Sequence, residues 1–156
     1  MAHRNRRHLV CWRNSLVTDV AALVLALCGP GALPLAPHFA HASHRWHVPP
    51  AVLVAVAKIE SRCDPTADDG DSDYGVMQIR EGGSAARHHT RAELLHARLN
   101  IDLGARHIRY WWNRCGDLPA SLGIYRGSRN CHDGRHSKRA RDVMEWVEEV
   151  ERGARS

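Results

Sequence analysis

The chain has 156 residues, of which 44% are hydrophobic, and this is enough for one domain with its own core. Its formal net charge is +5, but four arginines and no acidic residue lie within the first 13 positions. After Ala42 there are 18 basic and 16 acidic side chains, and the remaining net charge of +2 gives little attraction for phosphates. We therefore expect no nucleic-acid partner.

The first 42 residues have the order of a secretory signal. Basic residues come first, an apolar run from Val20 to Cys28 follows, and Gly29-Pro30 breaks it. The small residues of Ala40-His41-Ala42 are typical of a cleavage site. We predict that residues 1–42 are a signal peptide and leader, removed or disordered, and that residues 43–156 form an exported domain, periplasmic or secreted.

The same apolar run is also compatible with an uncleaved membrane anchor. Its nine apolar residues are well short of the ~20 that span a bilayer. Pro30 and Pro34 interrupt any longer run. A removable signal is therefore the favoured interpretation, and anchoring by the N-terminal segment is the alternative.

Three cysteines follow the leader, and an exported protein meets an oxidising compartment that favours their pairing. Cys115 and Cys131 flank a helix-like segment with turns at both ends, which favours a bridge between them and leaves Cys63 free. Pairing of Cys63 with either of the others stays open. A zinc site here would lack the usual C-x-x-C pair. We predict no metal and no cofactor.

Helical patterns fill most of the region after the leader. Pro49-Pro50 is typical of a helix start, and the apolar run from Ala51 to Ser61 indicates a central buried helix. The aspartate-rich stretch 66–73 indicates a loop, and its glycine comes too early for a calcium-binding EF-hand.

Four further helices are expected towards the C-terminus. They are indicated by the capping box Thr90-Arg91-Ala92-Glu93, by the apolar face of Ile101, Ala105, Ile108 and Trp112, by the segment Leu118 to Tyr125, and by the amphipathic pattern from Ala140 to Val150. No alternating strand pattern is present. The predicted fold class is all-α, with a small β-hairpin or irregular loop near residues 66–79.

Glu60 is the candidate catalytic residue. It lies near the end of the apolar run, where a carboxyl group is partly removed from water. Desolvation disfavours the charged form of a carboxyl group and raises its pKa. An acid that keeps its proton near neutral pH can protonate a leaving group, and the chemistry this suggests is cleavage of a glycosidic bond.

Four segments resemble, in the same order, the motifs of soluble-type lytic transglycosylases. They are Glu60-Ser61-Arg62-Cys63-Asp64-Pro65 (E-S-x-x-x-P), Gly75-Val76-Met77-Gln78-Ile79 (G-L-M-Q-I), Asn100-Ile101 with Gly104 (N-I-x-x-G), and the helix that ends at Tyr125 (Y-N-x-G). Each motif alone is weak, but random chains rarely contain all four at compatible spacings.

The resemblance implies a lysozyme-like helical domain that acts on peptidoglycan glycan strands. Glu60 would then be the single acid/base. It would protonate the oxygen between N-acetylmuramic acid and N-acetylglucosamine, and would afterwards take a proton from the C6 hydroxyl of the muramic acid. That hydroxyl would close on C1 to give a 1,6-anhydro sugar, so the usual second carboxylate would not be required.

The same resemblance implies roles for the neighbours of Glu60. Tyr74, Met77, Gln78 and Tyr125 would bind substrate, Gln78 through hydrogen bonds to sugar groups and Tyr125 with its hydroxyl near Glu60. Ser61 would steady the turn after the acid, and Asn100 would hold a helix start.

Arg126 and Trp111 are further candidates for contact with the substrate. The asparagine that the family has after its tyrosine is Arg126 here, and its guanidinium is a candidate for holding a stem-peptide carboxylate. Trp112 fits the buried face of its helix, and Trp111 is the candidate platform for a sugar.

Two other functions stay open at this point. The segment Ser72 to Ile79 also resembles the S-T-D-Y-G-I-L-Q-I-N segment of animal-type lysozymes, so Asp73 is a candidate second carboxylate for hydrolysis. That family's eight-cysteine framework is absent here. A non-catalytic wall-binding module is the other alternative. We expect a monomer, and an accessory role beside a secretion, conjugation or pilus apparatus would suit a short single domain.

Overall fold

The computed structural model describes residues 19–153, and the predicted all-α fold is confirmed. The elements are α1 Val20–Cys28, a 3₁₀ helix Pro30–Leu35, α2 Ala36–Trp46, α3 Pro50–Ser61, β1 Asp73–Tyr74, β2 Ile79–Arg80, α4 Arg91–Leu94, α5 Ala97–Cys115, α6 Leu118–Tyr125, α7 Cys131–Arg135 and α8 Lys138–Gly153. β1 and β2 form an antiparallel hairpin, in which Asp73 is opposite Arg80 and Tyr74 is opposite Ile79. The hairpin lies where the sequence predicts one.

Helix α3 is the centre of the domain. Proline occupies its first turn, where the missing N–H is not needed, and every residue from Ala51 to Ala57 is buried. Helices α1, α2, α5 and α8 pack around it. Arg62 ends the helix in the left-handed region at φ 57°. Glu60 therefore lies in the last turn of α3, where the helix approaches the protein surface.

The N-terminal segment packs into the same core as the rest of the described chain. Leu23, Val24 and Leu27 of α1 and Phe39 and Ala42 of α2 are buried. The sequence interpretation placed the start of the domain at Ser43, because an apolar run looks alike whether it is a signal or a helix that covers a core. Cleavage after Ala42 stays a prediction, and such a cut would fall inside α2.

Cys63, which the sequence interpretation left free, pairs with Cys28 in α1. Excluding Cys28 as part of a leader removed this partner from consideration. The second disulfide joins Cys115 to Cys131, as the sequence favoured, and bonds together the two sulfurs on which a zinc site would depend. Within residues 19–153, none of the helices has both the length and the apolar character needed to cross a bilayer.

Helix α6 packs against α5, α7 and α8. A side chain at Gly123 would overlap the backbone of Gly134, so the backbones of α6 and α7 are in direct contact. The Cys115–Cys131 disulfide joins the residues on either side of α6. Tyr125 and Arg126 lie at the end of α6, and the Arg126 guanidinium reaches Glu60.

Candidate active site

Glu60 lies almost out of contact with solvent, because only 3% of its side chain is exposed. The pKa of its carboxyl group is raised from 4.5 to about 7; burial is the largest cause, and the charge of nearby Asp73 acts in the same direction. The charges of Arg126 and Arg139 act in the opposite direction, but burial outweighs them. The group is therefore divided between its acid and carboxylate forms near neutral pH.

Arg126 forms an ion pair with Glu60, its Nη1 donating to Oε2 of the carboxyl group. The two residues are 66 positions apart in the chain, and the end of α6 brings them together. The hypothesis from the sequence that Arg126 holds a stem-peptide carboxylate stays a prediction. In the structure the guanidinium is paired with Glu60, the candidate acid.

Tyr125 supports the site through the backbone. Its hydroxyl donates to the carbonyl of Met77 at 2.6 Å. Burial, followed by the charge of Glu60, raises its pKa well above 10, so the phenol stays neutral. The effect of the Glu60 charge on the pKa of Tyr125 indicates that the two residues are close. The hydroxyl, however, donates its hydrogen bond to Met77 and not to Glu60.

Asn100 organises that segment. Its Oδ1 accepts from the N–H of Met77 at 2.7 Å, and its Nδ2 donates to the carbonyls of Tyr74 at 2.7 Å and Leu94 at 2.8 Å. Gly75, at φ 75°, passes so near that an added Cβ would lie 2.6 Å from this amide. Asn100 is fully buried, and its role is structural. It does not hold a helix start as the sequence predicted, because α5 begins at Ala97 and the side chain instead binds the segment from Tyr74 to Met77.

The structure separates the residues predicted to bind substrate. The side chain of Met77 has no exposed surface and packs on Gly104, so it belongs to the core and does not line a groove. Tyr74 is also buried, with the Arg91 guanidinium 5.5 Å above its ring. Gln78 and Tyr125 remain partly accessible, and the amide of Gln78 donates to the carbonyl of Gly75 at 3.0 Å.

Ser61 joins the end of α3 to the same segment. Its hydroxyl donates to the carbonyl of Val76 at 2.7 Å and accepts from the N–H of Asp64 at 3.1 Å. The first bond ties the helix of the acid to the G-V-M-Q-I segment. The second steadies the turn that follows the helix, which is the role proposed from the sequence.

Asp73, the candidate second carboxylate, is held by Arg80 across the hairpin. The Arg80 guanidinium contacts both carboxylate oxygens, Nε to Oδ1 at 3.0 Å and Nη2 to Oδ2 at 3.0 Å. Only 16% of the Asp73 side chain is exposed. Its negative charge is thus largely neutralised within β1 and β2.

An aromatic row, formed by His107, Tyr110 and Trp111 on α5, begins beside Tyr125. The His107 ring lies 5.7 Å from the Tyr125 ring and 6.4 Å from the Trp111 ring, and the Trp111 and Tyr110 rings are 5.2 Å apart. Tyr110 is 56% exposed. Burial lowers the pKa of His107 to about 4, so its ring is neutral at neutral pH.

The sequence interpretation singled out Trp111 but missed His107 and Tyr110. Their spacing of three and four residues, which places side chains on one helix face, was the signal that could have found them. It also missed Arg139 on α8, whose positive charge lowers the pKa of Glu60.

The comparisons with known proteins agree with this geometry. The transglycosylase SLT domain family matches residues 37–146, which include α3, the hairpin, α5 and α6. No match to a curated protein or to a solved structure was found. The match covers more than two thirds of the chain, and its fold is the helical lysozyme-like one. The chain belongs to the transglycosylase SLT domain family.

Proposed function

We propose that this protein is a peptidoglycan lytic transglycosylase that uses Glu60 as its only acid/base. Family membership supports an activity related to peptidoglycan. The observation that carries the finer proposal is the state of the two carboxyl groups. Glu60 has a pKa of about 7 because it is buried, whereas Asp73 is paired with Arg80.

In the first step the acid form of Glu60 gives its proton to the bridging oxygen. The bond between this oxygen and C1 of the N-acetylmuramic acid breaks, and its electron pair stays with the departing N-acetylglucosamine as a hydroxyl oxygen. A pKa near the working pH is what this step requires, because the acid is then both present and strong enough.

In the second step the Glu60 carboxylate takes the proton of the C6 hydroxyl, and O6 bonds to C1. The product is a 1,6-anhydro sugar, Glu60 regains its proton, and no water is consumed. Since the nucleophile belongs to the substrate, one protein carboxyl group is sufficient. The nearby charge of Arg139 favours the carboxylate form that exists between the two steps.

The glycan strand would extend along the aromatic row. Ring faces and edges beside a few polar groups are typical of ligand sites, and the row runs from Tyr125, near the acid, to the exposed Tyr110. Action on peptidoglycan also requires export, so we retain a periplasmic or secreted location as a proposal.

The hydrolytic alternative is disfavoured by the pairing of Asp73. A carboxylate whose two oxygens accept from a guanidinium is a poorer nucleophile than a free one. We therefore expect Asp73→Asn to keep more than about a tenth of the wild-type rate, since it loses only an electrostatic neighbour of Glu60 worth on the order of 1 kcal/mol.

Product analysis by mass spectrometry tests both points. Wild-type protein and the Asp73→Asn variant should release fragments that end in 1,6-anhydro-N-acetylmuramic acid. Each fragment should be about 18 mass units lighter than the hydrolytic product, because hydrolysis adds one water to every bond that it cleaves. Reducing ends from the wild type, together with no release by Asp73→Asn, would instead support a lysozyme. An absence of any product would support a binding module.

A further inference from the structure

Arg126 gives the active site an unusual resting state. In the free protein its guanidinium is paired with the group that must act as the acid. An adjacent positive charge favours the carboxylate form of Glu60, which has no proton to donate. Substrate binding that separates this ion pair would therefore increase the share of the acid form that the first step requires.

We propose that Arg126 selects glycan strands that carry a free carboxylate beside the reacting sugar, and that this carboxylate takes the guanidinium over from Glu60. This inference rests on the proposed function and adds a substrate preference to it. Exchange of one anionic partner for another leaves the guanidinium paired throughout, and it releases Glu60 to take a proton from water.

The exposure of the two partners supports this direction of exchange. The Arg126 side chain is 31% exposed, whereas that of Glu60 is 3% exposed. A ligand that arrives from solvent therefore meets the guanidinium first and finds the carboxyl group beneath it. Planar guanidinium groups hold a carboxylate through two parallel hydrogen bonds, and within residues 19–153 Glu60 is the only acceptor of the Arg126 side chain.

The Arg126 side chain can move while its backbone stays in place. The N–H of Arg126 donates to the carbonyl of Gly123 at 3.2 Å, and the N–H of Ser128 donates to the same carbonyl at 3.1 Å, so the backbone is held to the end of α6. The guanidinium extends beyond these bonds, and the side chain is 31% exposed. A shift of the guanidinium towards a bound anion can therefore occur by rotation of the side chain alone.

The electrostatic surroundings favour an anion at this position. Arg139 is a second guanidinium whose charge reaches Glu60, and within the described residues it has no ion-pair partner. The acidic neighbour, Asp73, is neutralised by Arg80. Once Glu60 is protonated, the two arginines leave an excess of positive charge that a substrate carboxylate would balance.

Two groups of the substrate have this chemistry. The lactyl group on C3 of N-acetylmuramic acid ends in a free carboxylate where the stem peptide is missing, and in an amide where it is present. Stem peptides carry carboxylates of their own. The lactyl group belongs to the ring whose C1 bond is cleaved, so peptide-free strands are the favoured source.

Arg126→Asn tests the proposal on three substrates. They are peptide-free strands, the same strands with their carboxylates converted to neutral amides, and peptide-bearing strands. Wild-type kcat/KM should be about tenfold lower on the amide form, which matches the loss of one hydrogen-bonded charge. Arg126→Asn should treat the free and amidated strands alike, and Arg129→Asn, an equal charge change on the same loop, should behave as wild type.

The outcomes separate the two proposals. Equal rates of wild type on free and amidated strands, or an unchanged preference in Arg126→Asn, would overturn the inference while 1,6-anhydro ends still support the enzyme. No anhydro ends on any strand would refute both. Faster turnover of peptide-bearing than of peptide-free strands would place the carboxylate in the stem peptide.

A binding measurement keeps the test valid if a variant lacks turnover. N-acetylmuramic acid alone, titrated by NMR, should bind Glu60→Gln more tightly than wild type, because the internal competitor for Arg126 is gone. N-acetylglucosamine, which has no carboxylate, should show no such difference. Equal affinity of both proteins for N-acetylmuramic acid would contradict the exchange.

Discussion

Glu60→Gln is expected to lower the rate of glycan cleavage by about 10³-fold or more while the domain stays folded. The amide has nearly the same shape as the carboxyl group but can neither donate the first proton nor accept the second. Because one residue serves both steps, no second group rescues the reaction. Release of soluble fragments from purified peptidoglycan measures the effect, and Glu148→Gln, an exposed position on α8, is the matched control.

The same variant should be more stable than wild type at alkaline pH. Folding raises the pKa of Glu60 from 4.5 to about 7, so the folded state holds this proton more tightly than the unfolded state. The contribution of this proton to wild-type stability is fully present below pH 4.5. It is lost as the pH rises from there through 7, which lowers the free energy of unfolding by up to about 3 kcal/mol. Glutamine has no proton to lose and escapes this cost.

Urea unfolding at pH 4 and pH 8 checks this second effect. The free energy of unfolding of Glu60→Gln, relative to that of wild type, should be higher at pH 8 than at pH 4. Retention of a tenth of the wild-type rate by Glu60→Gln, or an identical pH dependence of both proteins, would contradict the role assigned to this residue.

Asn100→Ala is expected to destabilise the protein by about 3–6 kcal/mol, since a buried backbone group left without a partner costs ~1–3 kcal/mol. The substitution orphans the N–H of Met77 and the carbonyls of Tyr74 and Leu94. A loss of this size is a large part of the stability of an ordinary domain. It would also release the segment that supports the Tyr125 hydroxyl beside Glu60.

Thermal and urea unfolding, followed by circular dichroism, measure the loss. Asn113→Ala is the control, because it makes the same change on an exposed face of α5 and should stay within about 0.5 kcal/mol of wild type. A free energy of unfolding for Asn100→Ala within about 1 kcal/mol of the wild-type value would correspond to a single hydrogen bond. Asn100 would then not hold this segment.

Local patterns predicted several of the elements that position the candidate site. The length and alanine content of the apolar run from Ala51 to Ser61 favoured a buried helix over a buried strand, and this placed Glu60 near its end. Turn composition located the hairpin, and the N-I-x-x-G segment identified Asn100 as structural. In each case the signal lies within a few neighbouring residues, which is the range over which helix and turn chemistry act.

The features that were missed depend on contacts between distant parts of the chain. The pairing of Arg126 with Glu60 joins residues 66 positions apart, and no local pattern reports it. Met77 is buried because Gly104 leaves space for it. The role of Cys28 was hidden because its apolar neighbours are equally suited to a signal peptide and to a helix that covers α3.

The central claim is that one buried carboxyl group keeps its proton near neutral pH. NMR titration of the side-chain carboxyl carbons of all seven glutamates measures this directly. We expect one of them to titrate near pH 7 in the wild type and this signal to be missing from Glu60→Gln. If every glutamate titrates below about pH 5.5, within the usual range of exposed carboxyl groups, Glu60 is not the acid described here.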